Sequence, residues 1–242
     1  VGTATQTEVK EQIDLMYSLI HQQVDAIVLV PIDSKALVQP VVEAVRKGVP
    51  VINIDIRLDT QLLEQAGVEV AFVGPDNFAA AYEVGKLLDK KLRNEDKVAI
   101  IEGLAAADNA QQRKRGFIKA IEEKGLRLVA SEPADWETEK AAEVFQAMWM
   151  RYPDLKAVYC SNDAMALGVL QQMQEKNCYL PVVGFDNDAV MKEFLSTGKL
   201  VATADIFSSQ MAVRGIEFAL DVLEGKIENR GVHSTAYEII KQ

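Results

Sequence analysis

Short apolar runs rich in Val and Ile recur along the chain at Ala26–Val30, Val51–Ile54, Val70–Val73, Val98–Ile101, Arg127–Ala130, Ala157–Cys160, Val182–Phe185 and Leu200–Thr203. Most of them do not alternate polar with apolar residues. That predicts strands buried on both faces, as in a parallel sheet covered by helices. The stretches between the runs carry helical spacing. From Glu8 to Gln22, Ile13, Met16, Leu19 and Ile20 fall on one stripe, and Phe78–Leu92 and Lys140–Met150 behave similarly. Such alternation predicts an α/β fold of doubly wound parallel sheets with right-handed crossovers.

The strand ends add a chemical signal. The runs finish at Asp33, Asp55, Asp76, Glu102, Asp135, Asn162–Asp163, Asp186 and Asp205. In open parallel sheets the carboxyl edge of the strands is where ligands bind. Asp and Asn also cap helices well, and capping is the expected role of Asp33, Asp76 and Asp163. It does not account for Asp55, which precedes Ile-Arg-Leu-Asp, or for Asp205, which precedes Ile206 and Phe207.

Several chemistries lack their residues. No G-x-G-x-x-G or G-x-x-x-x-G-K-[ST] follows a strand, and no G-x-S-x-G elbow occurs. The two histidines, His21 and His233, lie away from the strand ends, so no metal site and no cofactor is expected. If 157–160 and 182–185 are parallel neighbours, Cys160 and Cys178 stand roughly 15 Å apart at about 3.3 Å per residue. A disulfide tolerates about 7 Å, so two free thiols are expected. These absences favour binding over catalysis.

Composition narrows the setting. With 26 Lys and Arg against 36 Asp and Glu, the net charge is −10, and no basic cluster offsets it. Nucleic acid is therefore not the expected partner of this chain. The 49% apolar fraction and mixed charge exclude general disorder. The longest apolar runs are six or seven residues, far short of the roughly 20 that span a bilayer.

Seven segments in order carry a family resemblance: Asp25-Ala-Ile-Val-Leu-Val-Pro-Ile-Asp-Ser, Gly48-Val-Pro-Val-Ile-Asn-Ile-Asp, Ala110-Gln-Gln-Arg-Lys-Arg-Gly-Phe, Pro133-Ala-Asp-Trp, Ser161-Asn-Asp-Ala-Met-Ala-Leu-Gly, Val182-Val-Gly-Phe-Asp and Gly198-Lys-Leu-Val-Ala-Thr. From Thr5 to Gln242 the chain resembles ribose-type periplasmic sugar-binding proteins, the receptors of ABC importers. The resemblance implies the type I periplasmic-binding-protein fold: two α/β lobes joined by crossing strands, with a sugar or polyol held in the cleft between them. The implied lobes are 1–75 plus 207–235, and 76–206 plus 236–242. Gly74-Pro75 and Ala204 are the hinge candidates. It further implies a periplasmic or extracytoplasmic location, delivery to an ABC permease, and a chemoreceptor as a second partner class.

The family's ligand contacts map onto this sequence residue by residue. Asp55 and Asp186 match carboxylates that accept bonds from sugar hydroxyls, which charge-assisted bonding suits. Arg113 matches a guanidinium that forks across two oxygens. Asn162 matches an amide that donates and accepts, and Trp136 an aromatic face for the sugar's C–H groups. Each has a plainer reading: a core Trp136, a solvated Arg113 beside Lys114 and Arg115, and capping for Asp186 and Asn162. The family pattern's arginine after Asp55 is Ile56 here, with Arg57 one place on, where strand alternation would point it elsewhere. Its asparagine before Pro31 is Val30, and its late glutamine is Ile206 beside the polar Asp205. Asp205, Asn109 and Gln111 are the candidate replacements. With donors lost or moved, a hydroxyl pattern other than that of ribose is expected, since an unpaired buried polar group costs about 1–3 kcal/mol.

The family's opening strand, cleft loop, helix and second strand have no counterpart before Val1. The first lobe is accordingly expected to lack its first strand–helix–strand and not to be independently stable. The expected state is a monomer, unless another chain supplies that piece. The alternative function is the effector-binding domain of a lactose-repressor-type regulator, which shares the fold. A sensor ectodomain is a third reading, and an enzyme the weakest.

Overall fold

The computed structural model describes residues 1–241. In chain order its first half contains α1 (Val9–His21), β1 (Ile27–Leu29), α2 (Val38–Arg46), β2 (Val51–Ile54), α3 (Thr60–Ala66), β3 (Phe72–Pro75), α4 (Asn77–Asp89), β4 (Lys97–Glu102) and α5 (Asp108–Lys124). The second half adds β5 (Arg127–Pro133), α6 (Thr138–Arg151), β6 (Ala157–Cys160), α7 (Asp163–Glu175), β7 (Val182–Val183), α8 (Lys192–Ser196), β8 (Leu200–Asp205), α9 (Ser208–Leu223), β9 (Val232–Thr235) and β10 (Glu238–Lys241). The chain divides into two compact units. One comprises Val1–Pro75, Ala106–Asn109 and Phe207–Ala236; the other comprises Asp76–Ala105, Ala110–Ile206 and Tyr237–Gln242.

The first unit is a four-stranded parallel sheet in the order β1-β2-β3-β9. Successive side chains of a strand point to opposite faces, so β2 feeds two cores. Val51 joins Met16, Ile20, Leu37, Val41 and Leu63 on one side. Ile52 and Ile54 join Val73 and Ala219 of α9 on the other. The α9 helix lies so close to the sheet that a Cβ on Gly215 would stand 2.7 Å from Ile54 Cγ2. Its outer face is also apolar: Val213, Ile216 and Leu220, at helical spacing, are each more than half exposed.

The second unit is a six-stranded sheet in the order β10-β8-β7-β6-β4-β5. All pairs are parallel except β10 with β8, which is antiparallel. The α/β reading of the sequence is thus confirmed, and the central runs sit where expected. Two expectations are corrected. The edge strand β5 runs on to Pro133 and is largely exposed or half-buried, because an edge strand lacks a neighbour on one side. The run from 182 to 185 is a strand only through Val183, and the backbone enters the left-handed region beyond it, at Asp186 (φ 105°) and Asn187 (φ 58°).

Two strands, β9 and β10, had no apolar-run signal. The first is Val-His-Ser-Thr with only Thr235 buried, and the second is a short edge strand. Inside the second unit, Phe117 and Tyr159 pack with ring centroids 5.4 Å apart. The helices α6 and α7 approach at Gly168, where a Cβ would lie 2.0 Å from the Thr138 carbonyl oxygen. Cys160 is buried, Cys178 is half-buried, and both are free thiols. Burial pushes both up from the ordinary thiol range. Among the described residues no helix is long and apolar enough to cross a membrane.

Two stability outcomes follow. Gly168→Ala forces α6 and α7 apart and should lower Tm by about 4 °C or more in a calorimetric scan. Ile216→Glu on the outer face of α9 should change unfolding free energy by no more than about 0.5 kcal/mol while reducing binding of an apolar dye.

Candidate functional site

Helix α5 buries Ala110, Phe117, Ala120 and Ile121, and Arg113 falls on that same stripe. A helix advances about 100° per residue, so the basic run divides. Arg113 is only 2% exposed, Lys114 turns to Glu102 at 2.7 Å, and Arg115 faces solvent. The solvated-face reading of Arg113 is therefore excluded.

A buried guanidinium must be met by acceptors. Arg113 Nε donates to Asn77 Oδ1 at 2.9 Å, and Nη1 donates to the Ser161 carbonyl at 2.8 Å. Nη1 also stands 3.3 Å from Asp186 Oδ1. The guanidinium lies 3.7 Å from the centroid of the Phe185 ring and 5.6 Å from that of Trp136. Cation–π contacts of this kind contribute up to about 2 kcal/mol when desolvated.

Trp136 reaches this place by an unusual backbone. Asp135 and Trp136 have φ of 52° and 72°, and Asp135 pairs with Lys140. Gly103 is the floor beneath the indole, since a Cβ there would come within 2.0 Å of the ring. Trp136 is 7% exposed.

Asn162 caps α7, with Oδ1 accepting from Met165 N–H at 2.9 Å. The cap was expected from Asp163, which instead begins the helix and is fully buried. Its Oδ1 accepts from the Thr203 hydroxyl and its Oδ2 from Asp188 N–H, each at 2.9 Å. Burial chiefly, with the charges of Asp186 and Asp188, pushes its carboxyl up to about 7, against the lowering effect of the Asp188 N–H and the Thr203 hydroxyl. Asp33 and Asp76 do act on turns and caps: Asp33 accepts from Lys35 and Ala36 N–H, and Asp76 from Ala79 N–H. Asp205 Oδ2 accepts from Asn187 Nδ2 at 2.9 Å, which ties it to the segment that carries Asp186.

In the first unit, Asp55 follows β2 in the left-handed region (φ 62°) with its N–H on Val73 O. Asn53, 1% exposed, fixes the loop beyond: Nδ2 donates to Ile56 O and Oδ1 accepts from Leu58 N–H, both at 2.8 Å. Ile56 is thereby folded into the interior. Because the strand stops at Ile54, alternation does not run on to Arg57, and the argument that pointed it elsewhere fails. Arg57 lies over the Phe72 ring at 5.5 Å with Nε enclosed and without a hydrogen-bond partner among the described residues. Asn109, 5% exposed, likewise encloses an Oδ1 without a partner.

Of the sequence candidates, Arg113, Trp136 and Asp186 stand together, with Asn162 next to Ser161 and Asp205 tied through Asn187. Gln111 is exposed and donates to Ala105 O at 3.0 Å, apart from that group. Asp55 and Asn109 belong to the first unit. Sequence reasoning passed over Asn77 and Asn53. A polar residue at a buried strand position was the available signal for Asn53. Among the described residues no cluster of His, Cys, Asp and Glu could hold a metal.

Residues 1–227 match the family model described as a periplasmic binding protein domain. The D-ribose/D-allose-binding protein of Pseudomonas aeruginosa is 41% identical over 244 residues, covering 99% of this chain and 76% of that protein. The D-allose-binding periplasmic protein of Escherichia coli is 33% identical, covering 91% and 72%. Among solved structures, an ABC transporter solute-binding protein from Burkholderia multivorans superposes with a TM-score of 0.95 at 40% identity, over 100% of this chain and 86% of that one. Another, from Actinobacillus succinogenes with bound D-allose, gives 0.89 at 31% identity, over 96% and 84%. The chain belongs to the periplasmic binding protein domain family.

Proposed function

We propose that this protein is the extracytoplasmic receptor of an ABC importer for a sugar of the pentose or hexose class. The observation that carries the reading is the Arg113 cluster. A buried guanidinium is stacked on Phe185, bonded to Asn77 and Ser161, and paired with an Asp186 that remains partly exposed. Such a group presents donors and an acceptor in fixed geometry beside an aromatic surface, as a polyhydroxylated ring requires. In the first unit, Asp55 is the residue that the family resemblance marks for sugar hydroxyls. The ribose- and allose-binding relatives support a sugar as the ligand and favour a transport receptor over the repressor alternative.

The chemistry is capture, as in the transport receptors of this family, which are not enzymes. Hinge motion, typical of the fold, would be biased by the sugar only to the extent of its differential affinity for the two states. The liganded form would then be read by the permease.

Ligand-dependent thermal stabilisation tests this. D-ribose or D-allose at about 100 times its Kd should stabilise the protein by roughly 2.7 kcal/mol. Failure of every member of a pentose, hexose and polyol panel to stabilise it would end the sugar reading. Arg113→Lys keeps the charge but loses the fork, and should weaken affinity about tenfold or more by titration calorimetry. Asp186→Ala should abolish the ligand-induced shift. It should also lower the apo Tm, because it leaves Arg113 buried without its carboxylate.

A further inference from the structure

The segment that carries Asp186 is anchored by one side chain that no part of the ligand reading uses. Residues 186–188 present three successive backbone N–H groups, and each has a partner. Asp186 N–H donates to Ala204 O at 2.7 Å. Asn187 N–H donates to Thr203 Oγ1 at 3.2 Å, and Asp188 N–H donates to Asp163 Oδ2 at 2.9 Å. The Thr203 hydroxyl in turn donates to Asp163 Oδ1 at 2.9 Å. Two of the three anchors therefore end on Asp163. The same residue donates its own N–H to Phe185 O at 2.7 Å, the residue whose ring covers Arg113. A Cβ at Gly184 would lie 2.0 Å from Asp163 Oδ1, so the backbone of this segment comes close to the carboxylate where only glycine has no side chain.

We propose that Asp163 is the positioning residue of the ligand site: its buried carboxylate holds residues 184–188 against β8, and so fixes Phe185 and Asp186 around Arg113. The proposal rests on the reading of Asp186 as a ligand residue for its effect on affinity, but not for its effect on the segment itself. The left-handed backbone at Asp186 and Asn187 is strained and persists only where the surroundings over-determine it. Asp163 supplies that over-determination through Asp188 N–H, the Thr203 hydroxyl and Phe185 O.

The carboxyl's position near neutrality gives the proposal a second signature. The titratable groups facing it are Asp186 and Asp188 from the segment and Cys160 from β6, the last a thiol pushed well above its ordinary range by burial. From β8 it meets only the neutral Thr203 hydroxyl. With the carboxyl pushed up to about 7, roughly a tenth is ionised at pH 6 and roughly nine-tenths at pH 8. The ionised form accepts from both Thr203 and Asp188. Protonation at Oδ1 turns that atom into a donor, and the Thr203 hydroxyl loses its acceptor. Affinity should therefore rise with pH through about 7. Stability should move the other way. A carboxyl raised from 3.8 in the unfolded chain contributes stability that is fully present below about pH 4 and lost as pH rises through about 7.

The test pairs two shape-conserving variants with two readouts. Titration with D-ribose and D-allose should show affinity rising about five- to tenfold from pH 6 to 8 in the parent protein, with Asp163→Asn removing that slope. Thr203→Val should weaken binding at pH 8 about tenfold, and in the sugar-free protein it should speed amide exchange at Asn187 by about tenfold or more. Parent-like exchange at Asn187 in Thr203→Val, or a pH slope that survives in Asp163→Asn, overturns the proposal. If the parent protein binds no sugar, the sugar reading fails instead, and exchange at Asn187 and Asp188 in both variants still decides whether Asp163 holds the segment.

Discussion

A guanidinium taken almost wholly out of water organises the second unit. Its uncompensated burial would cost many kcal/mol, so the chain must surround Arg113 with acceptors and a π-face at fixed positions. Those partners come from distant parts of the sequence: Asn77 at the start of α4, Ser161 at the end of β6, Phe185 and Asp186 beyond β7, and Trp136 before α6. Each lies at or just beyond a strand end or at a helix start, where the polar edge of a parallel sheet collects. The charge that must be satisfied for folding is thus the same charge that the proposed function assigns to recognition. Losing one partner disturbs both at once.

The two units solve the problem of presenting an acidic residue in the same way. Asp55 and Asp186 each follow an apolar strand run, adopt positive φ, and donate their N–H to the next strand, to Val73 and Ala204 respectively. Behind each sits a fully or nearly fully buried polar side chain that bonds the residues following it. Asn53 holds Ile56 and Leu58, and Asp163 holds Asp188 directly and Asn187 through Thr203. The amide cannot titrate and the carboxyl can, so of these two supports only Asp163 carries an ionisable group.

Much of the fold was legible because both-face burial of parallel strands leaves continuous apolar runs, and β2, β4 and β6 lie at or within a residue of theirs. The strands that escaped, β9 and β10, are short edge strands whose residues are mostly exposed and need not be apolar. In the site, Arg113 could be read from helical phase alone, since it shares a stripe with Ala110 and Phe117. Asp163 could not, because N-terminal helix positions make an aspartate look like a cap, and only the tertiary approach of Gly184 and Thr203 shows otherwise. For Arg57 the premise of strand alternation does not apply, because β2 ends at Ile54. Local rules failed where the backbone enters the left-handed region.

The two sheets guard their edges unequally. The β5 edge carries Arg127 and Glu132 and ends on Pro133, features that discourage a foreign strand from adding to it. The β1 edge offers Ile27-Val28-Leu29, short but wholly apolar, in a unit whose α9 already turns Val213, Ile216 and Leu220 outward. Charge and proline thus mark one sheet's margin, while apolar residues mark the other's.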